Sequence, residues 1–358
     1  MRRTDWSGIH KNTGFSLYTL PLAVMSFLYG MGVKARMSSL KNRARELPGF
    51  VVSIGNITTG GTGKTPAVLM LSRWAREMGY NTVVLSRGYG GSYSNESEVV
   101  TDGNDILVSP NISGDEPWMM ANTLRGVPVI VSKNRYKGGR RAHQSFGSNF
   151  FILDDGFQHI SLKRDMDIVL LDAKTPFGNG HLLPWGPLRE PLSGLERADA
   201  FIFTRSGDNS PVHHESYFSN KPVYRGDHIP GRIIIPISGQ EYDPSFIYGK
   251  RVTAFSGIAK PESFKESLLN LGVDVVHFTA FDDHYPFSHK DIEKIRKKHE
   301  ALRGEFLITT EKDWTRIKDI ATDIEYIACL TIDFVFKTGE GDFFKMVKAK
   351  ADEIIGRV

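Results

Sequence analysis

The stretch GNITTGGTGKTP at residues 55–66 constrains the fold more than any other part of the chain. It lies between an apolar run, FVVSIGN (50–56), and a helical pattern, TPAVLMLSRWAREMG (65–79), with Pro66 in the first turn and Gly79 past the end. The order is therefore buried strand, glycine-rich turn, helix. The turn matches G-x-x-x-x-G-K-[ST] except that Thr58 stands where the first glycine belongs. In such a loop, glycines let successive backbone N–H groups wrap a phosphate chain at a helix N-terminus. The motif assigns the whole loop to a nucleoside triphosphate: Thr58, Thr59, Gly60, Gly61, Thr62, Gly63, Lys64 and Thr65. Lys64 reaches the outer phosphates, and the Thr65 hydroxyl ligates Mg²⁺.

A strand feeding such a loop needs parallel neighbours. Short apolar runs at 81–88, 127–132, 150–154, 167–172 and 199–204 alternate with helical patterns. Continuous apolar runs of this length predict a mostly parallel sheet with helices on both faces, a P-loop NTPase-like α/β fold. From about residue 206 the chain turns loop-rich, with one short extended run, RIIIPIS. A second, smaller α/β unit follows, with strands at 251–257, 273–281, 304–310 and 325–336 and helices near 261–271, 288–302 and 340–355. The expected division is an N-terminal arm (1–45), a phosphate-loop core (46–205), a linker (206–248) and a C-terminal α/β domain (249–358). Two such domains imply a cleft between them.

Charge separates the arm from the rest. Residues 1–45 hold eight Lys/Arg against one acid, Asp5, or +7 of a chain whose net charge is +4. A general nucleic-acid binder has no need of that arrangement, and none is expected as a partner. The arm also holds an uncharged run from Asn12 to Val33. A cleavable signal is disfavoured, because no A-x-A-like site follows. A spanning helix, an interfacial helix and a helix buried on the protein's own core stay open. The interfacial reading is preferred, with the apolar face in lipid and Lys34, Arg36, Lys41, Arg43 and Arg45 on anionic headgroups. A single cysteine, Cys329, excludes an internal disulfide and fits a reducing compartment.

A phosphate loop also needs an acid at the end of another strand. FFILDDGFQH supplies Asp154 and Asp155, which otherwise serve only as strand caps. SGDEPWMMA places Asp115 and Glu116 before a helix, which is an ordinary helix start or part of a site. SKNRYKGGRR (132–141) is a solvated face or a grip on an anionic substrate. PFGNGHLLPWGPLREPL (176–192) has too many Gly and Pro for a regular element, and long ordered loops of this kind are usually functional. FDDHYPF (281–287) ends a strand of the second unit with His284, a core histidine or a base facing the cleft. TTEKDWTR (309–316) caps another strand.

Together, GNITTGGTGKTP, LSRGYGG, SGDEP, LDDGFQH, PFGNGHLLPWGPLREP, FDDHYPF and TTEKDW resemble the tetraacyldisaccharide 4'-kinases, the lipid A kinases of Gram-negative bacteria. That family's loop is similar to this one at the Thr58 position, with a small hydroxyl residue. The resemblance implies ATP- and Mg²⁺-dependent phosphorylation of the 4'-hydroxyl of a tetraacylated glucosamine disaccharide 1-phosphate. It also implies peripheral or monotopic attachment to the cytoplasmic face of the bacterial inner membrane, with no obligate protein partner. It gives Lys64 and Thr65 to the triphosphate and metal, and Asp154, Asp155 and Glu190 to the acidic group around Mg²⁺. Arg135 and Arg189 become stabilisers of phosphate charge. Asp115 and His284 become a base dyad, with Glu116 beside it. The rival reading is a membrane-associated switch ATPase of the MinD/ParA kind. Those loops carry a lysine where this chain has Thr59, and they lack the second α/β unit.

Overall fold

The structure is a computed structural model and describes residues 19–205, 217–218 and 220–357. Arg2, Arg3, Asp5, Lys11 and the start of the uncharged run lie outside the described residues, as do 206–216 of the expected linker.

The phosphate-loop strand, β1 (Phe50–Gly55), is buried at every position between two parallel neighbours, β5 (Phe150–Asp154) and β6 (Met166–Asp172). Burial on both faces explains why these strands read as unbroken apolar runs. The helix after the loop, α2 (Lys64–Glu77), buries Ala67, Val68, Leu71 and Ala75 along one face. Outward from β5 come β2 (Thr82–Ser86), β4 (Val129–Val131) and an antiparallel edge strand, β3 (Glu98–Thr101). On the other side β6 pairs with β7 (Ala200–Thr204). Three further helices matter to the site: α1 (Leu20–Lys41), α3 (Asp115–Thr123) and α4 (Arg135–Phe146).

The second unit is built from β10 (Arg251–Ser256), β11 (Asp274–Ala280), β12 (Phe306–Thr310) and β13 (Ile327–Thr338). Helices α5 (Pro261–Asn270), α6 (His289–Ala301), α7 (Glu311–Ile317) and α8 (Glu340–Ile355) accompany them. The sequence reading differs most at the connection. Where it has a loop-rich linker with a short extended run, the chain forms a 13-residue strand, β8 (Val223–Ile235). Strand β8 pairs in parallel with β7 through Val223–Arg225 and antiparallel with β13 over most of its length. A short strand, β9 (Gln240–Tyr242), pairs with its far end. The two units therefore share one 13-stranded sheet. Gly226, Pro230 and Gly231 interrupt β8, and its main partner lies about a hundred residues downstream. A local apolar period could not reveal it.

Helix α1 docks through its small and polar side. The Ser26 hydroxyl donates to the Leu182 carbonyl at 2.8 Å, and the Tyr29 hydroxyl donates to that of Arg189 at 2.9 Å. A Cβ on Gly30 would lie 2.7 Å from Leu182. The large apolar residues face out: Val24, Met25, Phe27, Leu28 and Met31 are each more than half exposed. This is the reverse of a helix buried on its own core. Among the described residues no helix is long and apolar enough to cross a membrane.

Candidate active site

The phosphate loop is closed by its neighbours. Gly63 takes a left-handed conformation (φ 76°) at the N-cap of α2. The Thr59 N–H donates to the Pro187 carbonyl at 2.7 Å, and the Arg189 N–H donates to that of Ile57 at 2.8 Å. The Gly/Pro-rich loop 176–192 thus runs alongside the phosphate loop, and α1 sits on its far side.

The register between β1 and β5 sets Ile54 opposite Asp154, so the two aspartates emerge beside the loop. Asp155 adopts φ 51°. Its carboxylate lies 3.4 Å from Lys64 Nζ and accepts from Arg189 at 2.8 and 2.9 Å. Burial alone would raise its pKa, but Lys64 and Arg189 together outweigh burial and hold it below the usual value. Asp154 behaves oppositely. Burial, reinforced by Glu116 and Asp155, pushes it from 3.8 up to about 6, although Ser86 donates to it at 2.8 Å and Lys64 opposes the shift. The folded state thus keeps a proton that the unfolded chain releases between about pH 4 and 6. Stability is lost as pH rises through that window, and the penalty is complete above it. At about 1.4 kcal/mol per pKa unit, the penalty is on the order of 3 kcal/mol. Asp154→Asn is therefore expected to stabilise the metal-free protein at pH 8 by up to that amount. The gain should shrink towards pH 4. Denaturant unfolding in chelator at both pH values checks this, and equal stability of variant and parent at pH 8 would contradict it.

The two other assigned residues next to these acids are engaged elsewhere. Arg135 is almost fully buried and donates to the carbonyls of Ser132 (2.6 Å) and Asp154 (3.2 Å). Burial lowers its pKa to about 10, despite Asp154 nearby. It braces the end of β5 from below. Glu190 is fully buried, with one oxygen taken by Gln158 and the other by Arg197, both at 2.8 Å. Gln158 also donates to the Asn56 carbonyl at 2.8 Å. Glu190 in this geometry orders the floor of the loop.

Asp115 opens α3, and His284 sits at φ 58° in the turn after β11. They belong to different units, yet His284 Nδ1 is 3.4 Å from Asp115 Oδ2. Two cations from α7 join them. Arg316 Nε donates to the same Asp115 oxygen at 2.7 Å, and its terminal nitrogen is 3.1 Å from His284 Nδ1. Lys312 Nζ lies 3.3 Å from His284 Nε2, 3.2 Å from Glu116 and 3.5 Å from Asp283. Arg316 and Lys312 thus bring one cationic donor to each imidazole nitrogen. The sequence reading passed over Lys312 and Arg316 as strand-capping polar residues. Their i, i+4 spacing at the start of a helix that follows a strand end was the available signal. Ser86 and Gln158 were missed too, although Gln158 lies within LDDGFQH.

Among the described residues two buried polar groups at the loop have no partner: the Thr62 hydroxyl and the Asn56 side-chain amide. Unpaired buried groups beside a glycine-rich loop suit a polar ligand such as a triphosphate. Asp154, with its surplus of negative charge, and Thr65 at the start of α2 suit a divalent cation. Among the described residues no three His, Cys, Asp or Glu side chains form a ready-made metal cage. Mg²⁺ usually takes one or two carboxylates and completes its shell with phosphates and water.

The sequence profile of the tetraacyldisaccharide-1-P 4'-kinases matches residues 18–352. The chain belongs to this family. A tetraacyldisaccharide 4'-kinase of Syntrophus aciditrophicus is 41% identical over 314 residues, covering 83% of this chain and 84% of that one. One of Geobacter metallireducens is 36% identical over 320 residues, covering 88% and 94%. The crystal structure of "apo" form LpxK from Aquifex aeolicus in complex with ATP superposes with a TM-score of 0.76 at 31% identity, covering 93% of this chain and 98% of that one. The matched regions span both units of this chain. The switch-ATPase reading is not favoured.

Proposed function

We propose that this chain transfers the γ-phosphoryl group of ATP to the 4'-hydroxyl of a tetraacylated disaccharide 1-phosphate. The observation that carries the reading is the meeting of Asp115 and His284 from two units, on a chain that also holds a phosphate loop flanked by Asp154 and Asp155. In this reading Lys64 and Arg189 leave Asp155 to meet the phosphate oxygens, where charge spreads in the transition state. Thr65 and Asp154 would hold Mg²⁺, which supplies charge neutralisation at the phosphates. Arg135 and Glu190 keep Asp154, Gln158 and the loop floor in place. His284 takes the proton of the 4'-hydroxyl as its oxygen bonds to the γ-phosphorus, and the bond to the β–γ bridging oxygen breaks to release ADP. Asp115 orients the imidazole and offsets its new charge, and Glu116 helps to hold Lys312 beside it. Chromatographic detection of a newly phosphorylated disaccharide, dependent on both ATP and acceptor, tests the activity. ATP consumption that ignores the acceptor would favour a switch ATPase.

The acceptor carries acyl chains, and the outward face of α1 supports work at a membrane surface. An exposed apolar stripe next to the exposed cations Lys34, Arg36, Arg43 and Arg45 suits an anionic bilayer. An apolar groove of about 420 Å³, lined by Ala23, Phe27, His181, Leu182 and Trp185, separates α1 from the Gly/Pro-rich loop. Val24, Leu28 and Met31 share one face of the helix. Changing all three to serine should weaken binding to anionic vesicles by about tenfold or more, since each buried aliphatic side chain is worth roughly 1.5–3 kcal/mol. The fold should melt nearly unchanged, because each of these side chains is more than half exposed. Vesicle flotation reads the result, and undiminished binding would remove α1 as the membrane contact.

A further inference from the structure

Three successive carbonyls of the phosphate loop are held by side chains from the end of β7 and from β8. Arg205 donates to the Gly61 carbonyl at 2.9 Å. The Thr204 hydroxyl shares its proton between the carbonyls of Thr62 (3.3 Å) and Leu171 (3.4 Å). His228 Nε2 lies 3.0 Å from the Gly63 carbonyl. A carbonyl only accepts, so this nitrogen carries the proton. Burial lowers the His228 pKa and favours the neutral ring, and Nδ1 is buried without a partner among the described residues. The ring packs edge-on against Phe334 of β13 at 5.8 Å. It stands so close to the loop that a Cβ on Gly63 would lie 1.8 Å from Nε2.

We propose that His228, together with Thr204 and Arg205, is a positioning residue that presets the N–H groups of the loop for ATP. The reason lies in the peptide unit. In a planar trans peptide the C=O of one residue and the N–H of the next point in opposite directions. Fixing the carbonyls of Gly61, Thr62 and Gly63 therefore fixes the N–H vectors of Thr62, Gly63 and Lys64, turned away from β7 and β8. Those are the donors such a loop offers to phosphate. Without these anchors, glycine-rich backbone can rotate a carbonyl towards the phosphates, where its partial negative charge repels them. His228 contributes most, because it holds the peptide whose N–H belongs to Lys64. It also sits on the strand that joins the two units, so a shift of the second unit reaches the loop through it.

The proposal rests on ATP as the ligand of this loop, and direct titration of the full-length protein with a fluorescent ATP analogue tests both. His228→Phe keeps a ring against Phe334 but removes the donor, whereas His228→Gln restores an N–H at nearly the Nε2 position. Loss of one buried hydrogen bond predicts an ATP dissociation constant raised by about tenfold in His228→Phe and returned to within about threefold of the parent in His228→Gln. The KM for the lipid acceptor should stay unchanged in both. Should His228→Phe fail to fold, Thr204→Val carries the test, with an expected severalfold loss of ATP affinity. Unchanged ATP affinity in His228→Phe or Thr204→Val overturns the proposal. So do equal losses in the Phe and Gln variants with parallel losses of thermal stability, which indicate packing alone. A parent protein that does not bind the analogue overturns the ATP reading as well.

Discussion

Asp115→Ala and His284→Ala each lower kcat by roughly 10²–10⁴, the usual contribution of a positioned base to attack by a neutral hydroxyl. ATP affinity changes little, because neither side chain belongs to the phosphate loop. The double variant is scarcely slower than the poorer single one, since residues that act as a unit lose function together. The geometry gives this expectation a specific form. Asp115 is held at 2.7 Å by Arg316 and lies 3.4 Å from His284. The carboxylate is thus tied down before any acceptor arrives, and the Asp–His distance is longer than a strong hydrogen bond. Catalytic hydrogen bonds in ligand-free enzymes are often of this kind and tighten on assembly. Steady-state kinetics of the two singles and the double check the prediction. Fully multiplicative losses would show two independent roles. Normal turnover in His284→Ala would remove the histidine and leave Asp115 as the base.

Lys64→Ala lowers kcat by on the order of 10²–10³, the effect of removing one electrostatic contact that strengthens as charge develops. The lysine is mostly buried and paired with Asp155, so its ammonium already points into the site. Lys64→Met, which retains much of the stem, should be as slow as Lys64→Ala while packing better. Single-turnover rates with enzyme in excess over the acceptor and ATP saturating, alongside thermal melts of each variant, separate chemistry from folding. A well-folded Lys64→Ala protein with near-normal turnover would reject this loop as the phosphate site.

How far the molecule was readable from its residues depends on how local each signal is. Strands β1, β5, β6 and β7 stand within a residue or two of their apolar runs, because burial on both faces makes most of their positions apolar. Helix α8 matches its pattern end to end. The short edge strand β3 and the joining strand β8 were not legible. One is four residues long, and the other is broken by Gly and Pro and fixed by a distant partner. The site divides in the same way. Lys64, Thr65, Asp154 and Asp155 follow from strand–loop–helix order alone. That Asp115 meets His284 requires two units to come together, which no spacing within either unit encodes. Lys312, Arg316, Arg205 and His228 act through contacts across the joined sheet, so each looks like an ordinary surface or strand residue until the fold is known. Arg135 and Glu190 carry the opposite lesson. Their charge suggests contact with ligand, yet both are buried and hydrogen-bonded within the protein, Arg135 to the carbonyls of Ser132 and Asp154 and Glu190 to Gln158 and Arg197.

The central claim is phosphoryl transfer to one hydroxyl of a lipid disaccharide by this site, and locating the new phosphate tests it most directly. Purified protein, ATP, Mg²⁺ and tetraacyldisaccharide 1-phosphate in mixed micelles should yield a bisphosphorylated product whose second phosphate is placed at the 4' carbon by phosphorus–proton correlation NMR. The same product should be absent from a reaction with Lys64→Ala. Phosphate at another position, or ADP formed at equal rates with and without the disaccharide, would contradict the account.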